Sequence, residues 1–356
     1  VEAMAMGLPV IGSTAGGIPE VLGDMADDWA IPADNHTAWT DAMVSVLEMS
    51  HRERAHLGQK FRDLAQQRFS SDVYIQQITP LYRELAGERS SDSFGSQDMA
   101  CTDNPSGHST PSTSTSLNAL FVTWDGPAQN YLGSLFFPIY ERLAGEGINV
   151  RTLQYTWGDE GRIRSIRDTA EQAGLGYAHQ TVLREPLAPA TALMIVKGAI
   201  DIVRQVRIHD IDVLFPRSVI PAAMVLLASQ HLDDTPIVFD ADGFMPDERV
   251  EYGGWSPEGI TYRLFRDIEA QTVRKSLSVI TRTSHARDIL LDRAGAGTDP
   301  DKIHVIPNAR NEQEFRPLEA KKRAEIRAEF GVDKDVPWVV YVGSLGPHYH
   351  PAEILD

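Results

Sequence analysis

Two carboxylates one residue apart, Asp240 and Asp242, follow the apolar run at 236–239. Oxygen ligands at that spacing can hold Mg2+ or Mn2+, contact a polar ligand, orient or accept a proton, or simply cap a turn. Arg217 and Ser218 end another apolar run at 213–216, where a guanidinium could meet an anion or make an ordinary surface pair. Three stretches, at 11–18, 122–131 and 342–351, share one plan: an apolar strand hands its C-terminal end to a Gly-containing loop that opens a helix. Helix N-terminal amides beside small residues admit an anion, and ligands of open α/β sheets gather at the C-terminal ends of strands. An ordinary tight turn fits each stretch as well. None follows GxGxxG or GxxxxGK[ST], which argues against a dinucleotide oxidoreductase and a P-loop NTPase. His348 and His350 bring two imidazoles together with no third ligand nearby, too few for a metal site. Cys101, the single cysteine, excludes an internal disulfide framework and a CxxC metal site; it reads as a solvated thiol in a reducing compartment.

The elements that must position these groups read as strands alternating with helices. The chain has 356 residues and a formal charge of −17, enough length for two or three domains and no basic patch to draw a nucleic acid. No run approaches the 18 or so apolar residues of a spanning helix, and the opening stretch lacks the basic start of a secretory signal. At 8–12 a short apolar strand is expected, then a flexible turn at 13–17 and a helix from Ile18, with Pro19 and Glu20 in its first turn. Helical spacing of apolar residues predicts helices at 37–48, 52–68 and 72–85. Residues 87–116 are Ser, Thr, Gly, Pro, Asp and Asn with hardly any large apolar side chain, the composition of a disordered linker. Beyond it, strands are expected at 119–123, 148–154, 213–216, 237–240, 278–281 and 303–306. Helices are expected at 131–144, 190–206, 221–230, 260–277 and 284–294. The stretch at 247–249, with Gly253 and Gly254, reads as a charged loop. A charged helix at 316–330 and a strand from 338 follow. Such alternation implies βαβ units on a parallel sheet.

One string goes further. Glu2-Ala3-Met4-Ala5, then Gly7, Pro9-Val10-Ile11 and Gly16-Gly17-Ile18-Pro19-Glu20, resembles the nucleotide-sugar domain of retaining GT-B glycosyltransferases of family 4, group 1. The segments at 268–271, 278–281, 301–308 and 315–317 resemble the crossing between the two domains of such enzymes. Asn308-Ala309-Arg310-Asn311 stands where that family usually has Asn-Gly-Val-Asp. The resemblance implies an α/β fold of GT-B type, with Rossmann-like parallel sheets flanked by helices and donor domains that are incomplete within this sequence. Residues 1–86 would be the C-terminal part of one donor domain, 87–116 a linker, 117–317 an acceptor domain, and 318–356 the connection to a second donor domain.

The activity implied is transfer of a sugar from a nucleotide-sugar donor to a hydroxyl acceptor with retention, in polysaccharide or glycoconjugate biosynthesis. Glu2 would accept hydrogen bonds from the donor ribose, with Gly16, Gly17, Gly343 and Ser344 also on the donor side. Asp125, Gly126, Gln129 and Arg217 would face the acceptor, a saccharide, a lipid-linked sugar or another hydroxyl compound. Asp240 and Asp242 are the candidates for catalysis; a pair so spaced holds a metal in GT-A enzymes, whereas the GT-B fold generally works without one. No cofactor is expected, the setting is cytoplasmic with room for peripheral contact at the inner face of a membrane, and the segment by itself is expected to be inactive. Two other readings stay open, a GT-B nucleotide-sugar epimerase and a non-catalytic saccharide-binding or scaffold module.

Overall fold

The computed structural model describes residues 1–92, 116–126, 130–311, 313–333 and 336–340, with the backbone alone at 85–92. Its amino-terminal part contains α1 (Glu2–Ala5), β1 (Gly12–Ser13), α2 (Ile18–Leu22), α3 (Ala26–Trp29), β2 (Ala30–Ile31), α4 (His36–Glu48), α5 (His51–Phe69) and α6 (Ser71–Asp92). Ser50 and Glu53 start α5 with a reciprocal capping box that satisfies two otherwise unpaired amides. The strand expected at 8–12 is a correction: only Gly12 enters β1, which pairs in parallel with β2. Gly7, at φ 72°, turns the chain onto α5 instead, where a Cβ added at Gly58 would lie 1.9 Å from the Gly7 carbonyl oxygen. Only glycine allows that backbone approach. Met4, Leu22, Phe61, Ala65 and Phe69 bury the small core that results.

The larger part contains β3 (Leu117–Trp124), α7 (Phe137–Gly145), β4 (Ile148–Thr156), α8 (Glu160–Gln172), β5 (Tyr177–Thr181), α9 (Leu187–His209), β6 (Val213–Pro216) and α10 (Val219–Ala228). It continues through β7 (Val238–Asp240), α11 (Met245–Glu251), α12 (Ile260–Lys275), β8 (Ser278–Thr281), α13 (Ser284–Ala294), β9 (Ile303–Val305) and α14 (Ala320–Glu329). A π-turn at Leu132–Phe136 precedes α7, because Pro138 has no N–H to give to the preceding turn. The stretch read as a charged loop is α11, with Asp247 bound by the Arg266 and Arg293 side chains. Helix α14 starts at Ala320, later than expected, and residues 338–340 carry no regular structure.

All strands of the larger part pair in parallel. One group runs β5-β4-β3-β6 and the other β7-β8-β9. Single bridges at Leu214↔Ile237 and Arg217↔Asp240 carry the sheet across from β6 to β7. The chain winds from β3 outward to β5, then returns to the opposite side of β3, so the order reverses between β3 and β6. Both faces are covered, and side chains of β3 sort alternately: Ala119 and Phe121 join one core with α7, while Leu120 and Val122 join Met194, Ile202 and Met224 of α9 and α10. The α/β class with parallel sheets and flanking helices is therefore as the sequence implies.

The two parts are not packed as separate bodies. Helix α6 runs past its expected end at Leu85 to Asp92, into the stretch expected as linker; residues 93–115 of that stretch, with Cys101, lie outside the described residues. Its Tyr74, Ile75, Ile78, Leu81 and Tyr82 are buried in the β3–α7 core, and Tyr82 meets the edge of Phe215 at 5.9 Å between ring centroids. Ile78→Ala is expected to lower the unfolding free energy of the whole chain by about 2–5 kcal/mol in urea titrations, as for a buried Ile elsewhere. A loss of a few tenths would mean that α6 lies outside this core.

Candidate functional site

At the reversal of strand order, the C-terminal ends of β3 and β6 open the crevice where ligands of doubly wound sheets bind. Asp125 and Gly126 leave β3 there, and Arg217 and Ser218 leave β6. The Asp125 carboxylate accepts from Thr123 Oγ1 at 2.8 Å and from Gln154 Nε2 at 3.3 Å. Gln154 is fully buried and its orientation is set by Tyr177, whose hydroxyl donates to Gln154 Oε1 at 2.6 Å. Burial pushes the Asp125 carboxyl up from its ordinary value, against the pull of Thr123, Gln154 and Arg217. Gly126 packs against the indole of Trp157, 3.2 Å from the position a Cβ would take, and the Arg184 guanidinium covers the same ring at 4.9 Å. Gln129 lies outside the described residues.

Asp240 and Asp242 meet two guanidinium groups. Arg217 Nη1 donates to Asp240 Oδ2 at 2.8 Å, and Arg217 Nη2 donates to Asp242 Oδ2. Arg282, immediately after β8, donates to Asp240 Oδ1 at 2.5 Å, to Asp242 Oδ1 at 3.2 Å and to the Ile306 carbonyl at 3.0 Å. Asp240 is 1 % exposed with both oxygens engaged, so it anchors the strand ends and has no oxygen open to a reacting group; its candidacy for catalysis is corrected accordingly. Asp242 keeps 30 % of its side chain exposed and borders the crevice. Arg217 is a buried pair, not a free anion receptor or a surface pair, and its guanidinium lies 4.8 Å from the Phe136 ring. Two cations occupy the space a dication would take between these carboxylates, so the pair does not fit a metal site.

Burial opposes ionisation of Asp242, but the adjacent Arg217 and Arg282 charges outweigh it and hold the carboxyl below its ordinary 3.8. The same two carboxylates, working against burial, raise both guanidinium groups further. Ser218 adds strain, with φ 68° and ψ 172°, a conformation nearly confined to glycine and held by its N–H bond to the Asp240 carbonyl at 2.9 Å.

The amino-terminal motif reaches the same edge of the sheet. Gly17 fits against Thr283, where a Cβ would stand 2.1 Å from the Thr283 methyl carbon, and Gly16 takes φ 57° in open space. Glu20 does not act on its own helix as its position suggests; its carboxylate accepts from the Ser284 and His285 amides at the start of α13, at 2.7 and 3.1 Å. Glu2 accepts a charge-assisted bond from Arg310 Nε. Burial raises the Glu2 carboxyl, yet the Arg310 charge and hydrogen bond bring it below its ordinary value. A cavity of 230 Å³ lies along this seam, bordered by Glu20, Arg68, Val73, Arg282 and Thr283. Gly343, Ser344, His348 and His350 lie outside the described residues.

Sequence reasoning missed Arg282, Gln154 and the role of Arg310. The first two carried signals: Arg282 follows β8 as Arg217 follows β6, and Gln154 stands between the apolar Leu153 and Tyr155. Among the described residues no helix is long and apolar enough to cross a membrane.

Residues 139–314 match the family described as Glycosyltransferase Family 4, and residues 1–49 match Glycosyl transferases group 1. Over 93 residues the chain is 32% identical to the alpha-maltose-1-phosphate synthase of Mycolicibacterium smegmatis, a stretch covering 26% of this chain and 24% of that protein. The chain thus spans about a quarter of that curated relative's length. Among solved structures, a glycosyltransferase from Rickettsia africae aligns at TM-score 0.44 and 16% identity, over 62% of this chain and 51% of its own. A UDP-GlcNAc 2-epimerase from Neisseria meningitidis, bound to UDP-GlcNAc, aligns at 0.37 and 14%, over 54% and 46%. The two family matches relate the chain to group 1 glycosyltransferases.

Removing Arg282 strands buried negative charge, so Arg282→Ala is expected to cost about 3–5 kcal/mol of stability in urea unfolding. A cost below 1 kcal/mol would show that the cluster is solvated. Asp242 should add a pH signature. Its folded value is depressed, so its contribution is complete above the unfolded value of 3.8 and is lost as pH falls through the lower folded value. The stability gap between the native chain and Asp242→Asn should therefore hold at pH 5–7 and shrink below about pH 4; a gap that grows on acidification would reverse the assignment.

Proposed function

We propose that this chain carries working surfaces of a GT-B glycosyltransferase that moves a sugar from a nucleotide-sugar donor to a hydroxyl acceptor with retention of configuration, in polysaccharide or glycoconjugate biosynthesis. The observation that carries this reading is the meeting of the 2–20 motif with the C-terminal edge of the sheet. Glu2 reaches Arg310 just beyond β9, while Gly17 and Glu20 lie on Thr283 and Ser284 just beyond β8. The matches of both segments to glycosyltransferase families support the same reading.

In this proposal Glu2 accepts hydrogen bonds from the ribose hydroxyls, a task suited to a carboxylate because its two oxygens can serve two adjacent hydroxyls. Gly16, in open space at φ 57°, leaves the donor room to approach the backbone; Gly17, Gly343 and Ser344 are assigned to the donor side on the family resemblance. Asp125 and Gly126 face the acceptor. Asp125, partly exposed where β3 ends, is placed to accept a hydrogen bond from the attacking hydroxyl, whose proton passes to the departing diphosphate oxygen on the same face. Asp242 orients the sugar at the rim of the crevice. Attack and departure share one face of the donor sugar, and loop amides with basic side chains, without a divalent ion, hold the charge that grows on the leaving diphosphate.

The test uses the purified chain with a panel of UDP-, GDP- and ADP-sugars, reading binding by calorimetry and products by mass spectrometry with and without hydroxyl acceptors. One nucleotide class should bind, and Glu2→Gln should weaken it by about 10- to 100-fold, as for loss of hydrogen bonds to a charged group. Binding of no nucleotide sugar, or epimerised donor formed without acceptor, would overturn the reading.

A further inference from the structure

Both acidic residues that bound the amino-terminal motif are engaged inside the molecule. Glu20 caps α13, and Glu2 is held by Arg310. Arg310 is itself fixed from several directions. Its N–H donates to the Phe69 carbonyl at 2.9 Å, its carbonyl accepts from Ser71 Oγ at 3.4 Å, and its Nη1 donates to the Ala309 carbonyl at 2.8 Å. The Glu2 and Arg310 side chains keep 32 % and 22 % of their surface exposed, so the pair is partly shielded and stronger than an open surface pair.

Arg310 already engages one oxygen of Glu2. A vicinal diol gripped by a carboxylate spans both oxygens, and at Oε1 it would have to share the acceptor, and the space around it, with the guanidinium. A charge-assisted bond also outranks a neutral hydroxyl as a partner, so the diol cannot displace the guanidinium without opposition. We propose that Arg310 is an internal competitor for the donor: its guanidinium and the ribose diol of a nucleotide are alternative partners of Glu2. This rests on the reading of Glu2 as the ribose carboxylate.

The consequence is conformational. Arg310 holds α1 against the turn after β9 while Glu20 holds α2 against α13, and the two contacts together close the seam between the amino-terminal part and the sheet. A nucleotide that takes Glu2 breaks one of the two. Binding and loosening of the seam are then linked, so weakening the Arg310 contact raises nucleotide affinity, by at most the factor by which the contact is weakened. Arg310 stands in the turn where the sequence departs from Asn-Gly-Val-Asp, and a valine at that place has nothing to offer a carboxylate.

The experiment is calorimetric titration of the full chain with UDP, GDP and ADP, comparing the native sequence with Arg310→Val, Arg310→Lys, Glu2→Gln and the double variant Arg310→Val/Glu2→Gln. Valine keeps the backbone bonds to Phe69 and Ser71, and circular dichroism confirms folding of each variant. Arg310→Val should tighten binding at least fivefold, Arg310→Lys should stay within twofold of the native chain, and the double variant should lose the gain. Equal or weaker binding by Arg310→Val, with Glu2→Gln still harmful, overturns the competition and leaves Glu2 as the ribose carboxylate. If neither chain binds a nucleotide, or Glu2→Gln changes nothing, the Glu2 reading falls and the competition falls with it. Should Arg310→Val misfold, Arg310→Gln takes its place with the same expected gain and the same overturning results.

Discussion

The architecture depends on one cluster of four charges. Asp240, shielded almost completely from solvent, accepts from Arg217 on one oxygen and Arg282 on the other, and Asp242 closes the ring from the rim. The cluster stands where the sheet is weakest. Between β6 and β7 the backbone supplies isolated bridges, one of them Arg217↔Asp240, in place of a ladder. Guanidinium forks joined to carboxylates therefore hold three strand ends, after β6, β7 and β8, in a register that backbone pairing alone specifies poorly. Desolvating four charges is costly, and such a cluster is better understood as fixing geometry than as adding net stability. Its cost rises with each partner lost, which makes the four residues act as one unit.

That unit also receives the amino-terminal part. Tyr74 of α6 lies fully buried next to Arg282 and Asp240, and burial pushes its hydroxyl up to about 12. Helix α6 thus covers the ion cluster on one side with a phenol and, further along, fills the core between β3 and α7 with Ile78 and Tyr82. Surface pairs from Asp72 to Arg142 and from Arg83 to Glu146 follow the same contact outward. Once α6 is seated, α5 brings Phe69 beside Arg310 and the motif loop beside Thr283. The seam, the Glu2 pair and the cap on α13 follow from a helix whose apolar face has no other core to enter.

Much of this was readable in the chain. β6, β8 and α13 carry the bounds expected from the sequence: β6 and β8 are short, mostly apolar runs that end at Arg217 and Arg282, and α13 starts after the cap Thr283 and stops at Gly295. Helix α8 was less visible: Ile163, Ile166 and Ala170 are its buried residues in an otherwise polar stretch. Strand β5 is half-exposed at the edge of the sheet and carries His and Gln where an interior strand has aliphatic residues. Helix α11 looked like a solvated loop because its charges are paired by Arg266 and Arg293, which come from elements that follow it in the chain. For α11 the pairing came from neighbours and left no local trace.

The sequence by itself determined the alternation of strands and helices, the absence of the GxGxxG and GxxxxGK[ST] patterns, and the kinds of group gathered at strand ends. Those properties depend on side-chain periodicity and on glycine placement, which are local. Tertiary structure alone decided which acid meets which base. Asp240 pairs with Arg217 across 23 positions and with Arg282 across 42, while Glu2 pairs with Arg310 across 308. A carboxylate two residues from another reads as a ligand pair until two guanidinium groups are brought against it. Coulomb energy depends on distance in space and on the surrounding dielectric, and neither is written in the spacing of the residues.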